Sequence, residues 1–283
     1  MPTYPVNGDV DPGGGGSITL PLSIANGGTG QTTGPAALRA LAGSQALTIS
    51  AGAVAIDCSL GLYCTLTVSA NCTISNPTNA SAGDVLTIVF TQDGTGGFWV
   101  DFGSAFEKPA VWTGANQVTT HRWVYDGTTW RVTSRALARR IGSDTSESAG
   151  SGTAATGSAF VPVPNAVYKW SALPICNSAA TSTGAQPGAA AGTSNSGSIV
   201  GYGRAGGDTA TVARVRYISG TTAMYLPQTS TESTSFPDGS TLFGHLIGAS
   251  SSPGTFQLYI KSEVPGSQVT MTGNTVFEIL RVS

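Results

Sequence analysis

Asp84-Val85-Leu86-Thr87-Ile88-Val89-Phe90-Thr91-Gln92-Asp93-Gly94-Thr95-Gly96-Gly97-Phe98-Trp99-Val100-Asp101-Phe102 sets the fold class. Residues 84–91 carry β-branched and aromatic side chains on both alternating faces, the signature of a strand central in its sheet. Gln92–Gly97 is rich in Asp and Gly and reads as a turn, after which Phe98–Phe102 returns as a second strand. Further on, His121-Arg122-Trp123-Val124-Tyr125 and Trp130-Arg131-Val132-Thr133 flank Asp126-Gly127-Thr128-Thr129. An Asp-Gly turn between aromatic-rich runs is a strong hairpin signal.

Composition extends that reading to the whole chain. Of 283 residues only 10% are charged, whereas 38 are Gly. Long helices need Glu, Lys and Arg on their solvent faces, and this chain lacks them. Many short strands joined by Gly-rich turns fit, so the expected class is all-β. Residues 44–134 read as one β-sandwich domain. Residues 135–158, small and polar, read as a linker. Residues 159–283 read as a second, jelly-roll-like β-sandwich, with its clearest strands at Arg214–Ile218, Thr222–Leu226, Phe256–Ile260 and Phe277–Leu280.

The N-terminal part is different. Residues 1–17 end in Asp11-Pro12-Gly13-Gly14-Gly15-Gly16-Ser17, which has no folding preference. They read as an extended anchoring peptide, with Tyr4, Pro5 and Val6 as its contact residues. Ile18, Leu20, Leu22 and Ile24 then share one face of an extended strand, which Pro21 confines to an edge. The bend Asn26-Gly27-Gly28-Thr29-Gly30 follows. Thr33 or Gly34 caps a short helix with Pro35 in its first turn and Gly43 at its end. Leu38 and Leu41 lie on one face of it. A helix this short is marginal alone in water. Neither element can bury its apolar residues within one chain, but three copies about an axis can, so residues 18–43 read as a trimerising stalk.

Two stretches resemble fibre proteins of tailed bacteriophages. Leu20–Leu41, with Ala25-Asn26-Gly27-Gly28-Thr29-Gly30-Gln31-Thr32-Thr33, is similar to a segment that recurs in tail fibres, although Gly34-Pro35 replaces the Ala-rich run usual there. Thr65-Leu66-Thr67, Ser75-Asn76-Pro77-Thr78-Asn79, Thr91–Gly97 and Tyr125–Trp130 resemble a fibre β module and span most of residues 54–134. The resemblance implies a structural, homotrimeric virion protein without catalytic residues or cofactor. It implies a virion partner for the N-terminus and a host-surface glycan or protein for the distal C-terminal domain. A tail fibre is the expected role and a capsid-anchored head fibre or decoration protein the alternative. A capsule or lipopolysaccharide depolymerase is the weaker reading, and a bacterial adhesin weaker still.

Chemistry-bearing residues are sparse. The net charge of −2 gives no basic footprint for nucleic acid. The exception is Arg135, Arg139 and Arg140 around Ala136-Leu137-Ala138, read as a solvated linker helix before a contact for an anionic partner. No apolar run is long enough to span a membrane, and Met1–Pro5 has no signal-peptide character. Cys58, Cys64, Cys72 and Cys176 form no C-x-x-C pair and are read as small buried hydrophobes; no metal site is expected. The Gly27–Gly30 bend lacks the Lys and Ser/Thr of a phosphate loop. The C-terminal acids Asp208, Glu232, Asp238, Glu263 and Glu278 do not form a recognisable acid–base pair. His121 and His245 are both expected as packed structural residues. Sugar recognition favours aromatic faces beside Arg and Asn. The candidate receptor contacts are therefore Tyr202, Arg204 and Trp170, with Tyr202-Gly203-Arg204 as the preferred loop.

Overall fold

A computed structural model describes residues 43–134, 136–178, 184–205, 210–220, 223–225, 241–262 and 264–283. The anchoring peptide and the strand–helix stalk, with Tyr4, Pro5, Val6, Ile18, Leu20, Leu22, Ile24, Leu38 and Leu41, lie outside the described residues. Among the described residues there is no α-helix, and strands dominate, as composition demands.

The first module is built in coils. Strands β1 (Ser44–Leu47), β3 (Tyr63–Val68) and β5 (Val85–Gln92) stack in parallel in one sheet. Strands β2 (Ala53–Val54), β4 (Cys72–Ile74) and β6 (Val100–Phe102) stack in parallel in a second. The chain therefore makes three turns, each contributing one strand to each sheet. The antiparallel strands β7 (Val118–Tyr125) and β8 (Trp130–Val132) complete the first sheet in the order β1-β3-β5-β7-β8. The register aligns Leu47, Leu66 and Phe90 in one inward stack and Val54, Ile74 and Phe102 in the facing one. Phe90 meets Phe102 edge-on across the core, with centroids 6.0 Å apart. Like other coiled architectures, each turn buries its apolar face against its neighbours.

β5 is central, as its sequence predicts, but its return is not a hairpin. β6 leaves the sheet of β5 and pairs with β4 in the other sheet. The cause is the corner between them. Asp93 Oδ1 accepts from the backbone N–H of Thr95 at 2.8 Å and of Gly96 at 2.9 Å. Gly96 and Gly97 both take positive φ (63° and 83°), which L side chains rarely adopt. Gln92 Nε2 donates to Phe98 O at 2.8 Å and pins the exit. The two-layer packing of a sandwich is thus present, whereas the antiparallel connectivity of a jelly roll is replaced by parallel coils. The Asp126 hairpin forms as expected. β7 pairs with β8, and Asp126 Oδ1 accepts from the N–H groups of Thr128 and Thr129.

The second module is an antiparallel β-sandwich. Its large sheet runs β16-β15-β18-β12-β21-β9, from β9 (Ala136–Arg140), β12 (Val167–Leu173), β15 (Gly192–Ala205), β16 (Ala210–Gly220), β18 (Thr241–Ile247) and β21 (Val276–Arg281). Facing it are β11-β19-β14-β17 and β10-β20-β13. These comprise β10 (Thr145–Glu147), β11 (Thr153–Ala154), β13 (Cys176–Ser178), β14 (Ala185–Ala190), β17 (Met224–Tyr225), β19 (Gln257–Ser262) and β20 (Val269–Met271). Phe256 and Phe277 stack at 5.6 Å at the centre of the core between the layers.

Residues 136–140 are a strand where a linker helix was expected, and the interval read as a linker also supplies β10 and β11. Its polar sequence misleads because its polar groups have distant partners. Glu147, only 4% exposed, accepts from the N–H groups of Ser151 (3.2 Å) and Ser262 (2.5 Å). Ser44–Ser283 accordingly forms one compact unit.

Candidate functional site

The loop from residue 103 to 117 carries Ala110 and Trp112 out of the first module and into the core of the second. Trp112 meets Phe160 edge-on at 6.2 Å and Phe277 at 5.6 Å. Its backbone N–H donates to Thr119 Oγ1 at 3.0 Å, and the neighbouring Thr113 Oγ1 accepts from Val161 N at 2.8 Å. Beside this contact, Asp101 of β6 pairs with Arg281 of β21 at 2.8 Å and with Lys108 at 3.3 Å. Burial alone would raise the Asp101 carboxyl, but the Arg281 guanidinium, with Lys108 and hydrogen bonds, holds it below its ordinary value. Tyr168 lies close by. Its hydroxyl accepts from Val163 N at 3.1 Å, and burial pushes its pKa up to about 12.

Along the outer edge of this junction runs a cleft of about 350 Å³, lined by Trp112, Gln117, Val118, Ala138, Arg139 and Arg140. The Arg139 guanidinium sits 5.4 Å from the centre of the Trp112 ring, and its Nε donates to Arg140 O at 3.2 Å. Burial lowers the Arg139 pKa. Arg140 Nη1 reaches Asn274 Oδ1 at 3.4 Å. Sequence reasoning noticed this arginine pair but placed it on a solvated helix. The signal that could have found the site is the alternation Leu137-Ala138-Arg139-Arg140 read as a strand, with Leu137 on the face of Arg139.

The residues expected at the receptor surface fare differently. Trp170 is 2% exposed and packs against Phe256 at 5.0 Å, so its ring offers no face to a ligand; its position on β12 points it inward with Tyr168 and Ala172. Tyr202 and Arg204 lie on β15, paired with Ala213 and Thr211 of β16, and so belong to a ladder where a loop was expected. Their Gly-rich neighbourhood had suggested a turn, but Tyr202 pairs with strands on both sides, and Gly203 and Arg204 continue the pairing with β16. His121 is packed as expected, with Nε2 2.6 Å from Ala110 O, and burial lowers its pKa. His245, by contrast, is exposed on β18, one step out of phase with buried Leu246.

The four cysteines are free, and burial pushes the Cys58, Cys64 and Cys72 thiols up to about 11. Among the described residues, no group of three or more His, Cys, Asp or Glu side chains could hold a metal ion. No described helix is long and apolar enough to cross a membrane. Of the five acids considered for glycan cleavage, Glu278 is described; it is exposed on β21 and accepts from Ser171 Oγ at 3.4 Å.

Residues 60–130 match a phage tail fibre domain. The family is described as "Putative phage tail fibre C-terminal domain". The match runs from β3 to Trp130 at the start of β8, which takes in the second and third turns of the coiled module, and supports a structural phage fibre protein. It agrees with the resemblance to phage fibre proteins read from the sequence. No curated protein matches the chain. Among solved structures, similarity extends to the VP2 subviral particle of infectious bursal disease virus, at 11% identity and TM-score 0.15 over 56% of this chain and 40% of that one. The Gt strain structure of the same virus gives 11% and 0.16 over 62% and 47%. The present chain thus spans under half the length of those two proteins, and at such scores the likeness carries no structural argument.

Proposed function

We propose that this chain is a subunit of a homotrimeric tail fibre that attaches a tailed phage to its host. The observation that carries this reading is the tail fibre match on residues 60–130, which falls on the coiled module. That module is packed through Trp112 and Asp101 onto the C-terminal sandwich. In this reading residues 1–17, with Tyr4, Pro5 and Val6, dock on another virion protein. Residues 18–43 trimerise through Ile18, Leu20, Leu22, Ile24, Leu38 and Leu41. The C-terminal sandwich then meets a host glycan or protein. Three tips per fibre and several fibres per particle turn weak single sites into strong adhesion through effective concentration. The role is structural and adhesive, and no chemical step is assigned to it.

Size-exclusion chromatography with light scattering tests the assembly. The expected mass is three times the 28.5 kDa chain; a clean monomer refutes the trimer. Purified protein added to host cells should reduce adsorption of the phage by occupying its receptors, and undiminished adsorption at saturating protein refutes the attachment role.

A further inference from the structure

The cleft beside Trp112 has the parts of an anion site without an anionic residue of its own. The Arg139 guanidinium is held over the Trp112 ring and by its Nε, which donates to the Arg140 carbonyl. A guanidinium lying over an aromatic ring is held there by cation–π attraction, and its N–H donors suit a carboxylate or phosphate. Among the described residues, no carboxylate lies within ion-pair distance of Arg139 or Arg140. Among the described residues, the Arg140 side chain has only the long Asn274 contact. Glu278 stands opposite Ala138, diagonal to Arg140 across the ladder, and is engaged with Ser171.

The rest of the lining suits a sugar. Among the described residues β9 is the edge strand of its sheet, so its outer backbone groups are not paired with another described strand. Gln117 uses Oε1 to accept from Gly114 N at 3.2 Å, leaving its amide N–H₂ for a hydroxyl. Val118 is 57% exposed and offers an apolar patch for C–H groups. The volume of about 350 Å³ lies at the small end of the roughly 300–1,000 Å³ typical of small-molecule sites.

We propose that this cleft is a subsite for an anionic saccharide, whose carboxylate or phosphate is drawn in by the positive charge of the two arginines that line it, Arg139 and Arg140, and whose ring lies against Val118. The proposal deepens the attachment reading and rests on it for its biological sense. Its test does not, because it measures binding by the purified full-length chain.

Ligand-observed NMR titrations with glucuronate, glucose 6-phosphate and glucose supply the test. At least one anionic sugar is expected to bind in the millimolar range, with glucose about tenfold weaker or more. Added salt should weaken the anionic ligands and leave glucose unaffected. Glucuronate alone binding assigns a carboxylate, glucose 6-phosphate alone a phosphate, and both assign the shared anion. Arg140→Gln should reduce affinity about tenfold. Val118→Glu, at an exposed position, places a negative charge in the cleft and should abolish anion binding while leaving the melting temperature near that of the parent. The proposal is overturned if neither anionic sugar binds by about 10 mM, if glucose binds as well as they do, or if both variants keep the parent affinity. Sugar binding without competition for host cells would keep the subsite and sink the attachment role. Competition without sugar binding would sink the subsite alone.

Discussion

Replacing Asp101 by Asn should loosen the junction between the two modules. Arg281 is 4% exposed, and its Nη1 already lacks a partner among the described atoms. Its other contacts are Asp101 at 2.8 Å and, through Nε, the Ser283 carbonyl at 3.0 Å. Neutralising Asp101 leaves a buried guanidinium without a counter-charge, which typically costs about 3–5 kcal/mol. The Asp101 side chain is 25% exposed, so water reaches the pair and the lower end, about 3 kcal/mol, applies. In a unit of this size each kcal/mol shifts Tm by roughly 2–4 °C, giving a drop of roughly 6–12 °C. Differential scanning calorimetry of the parent, D101N, R281M and the double variant would measure this and the coupling between the two sites. The pH dependence follows from the depressed Asp101 pKa. The folded state then holds its proton less tightly than the unfolded chain, so the stabilisation is complete above the ordinary carboxyl value near 3.8 and is lost as pH falls through the lower folded value. D101N should lack that acid loss. A Tm change under about 2 °C with a coupling below about 0.5 kcal/mol would refute the reasoning.

Three further outcomes are expected. Because burial depresses the His121 pKa below 6.5, stability should be full above that pH and decline as pH falls towards the folded value; H121Q should lose that slope, and parallel Tm-against-pH curves would contradict it. A Cβ on Gly244 would stand 1.8 Å from the Ser198 carbonyl and 3.0 Å from Trp170 Nε1, so G244A should cost about 1–3 kcal/mol or more by denaturant unfolding, and a neutral result would mean the β15–β18 spacing is wrong. With thiol pKa values near 11 at Cys58, Cys64 and Cys72, Ellman's reagent should react slowly with native protein and with four thiols after denaturation; rapid native labelling of several thiols would refute that burial.

Local chemistry made many elements legible. The period-two alternation of β5 and β7, and the Asp126-Gly127 turn, are properties of neighbouring residues and were recovered with the right strand type. The likeness to a phage fibre domain was likewise legible in the sequence, and the family match falls on residues 60–130. Strand partnership was not. Val100-Asp101-Phe102 follows a turn sequence that suits a hairpin equally well, and only the buried alignment of Val54, Ile74 and Phe102 favours a partner in the other sheet. The exposed surfaces misled for a similar reason. Tyr202-Gly203-Arg204 has loop composition, yet all three pair with β16, and Tyr202 also pairs with β18.

The sequence by itself determined an all-β chain, poor in charge, with several of its strands and turns, since side-chain alternation and Gly or Asp placement act within a few residues. Tertiary structure decided the parallel coils, the strands within residues 136–154 and the Arg139–Trp112 cleft. Each of these depends on groups far apart in the chain, whose pairing is chosen by shared burial of apolar surface and by the cost of leaving a polar group unpartnered.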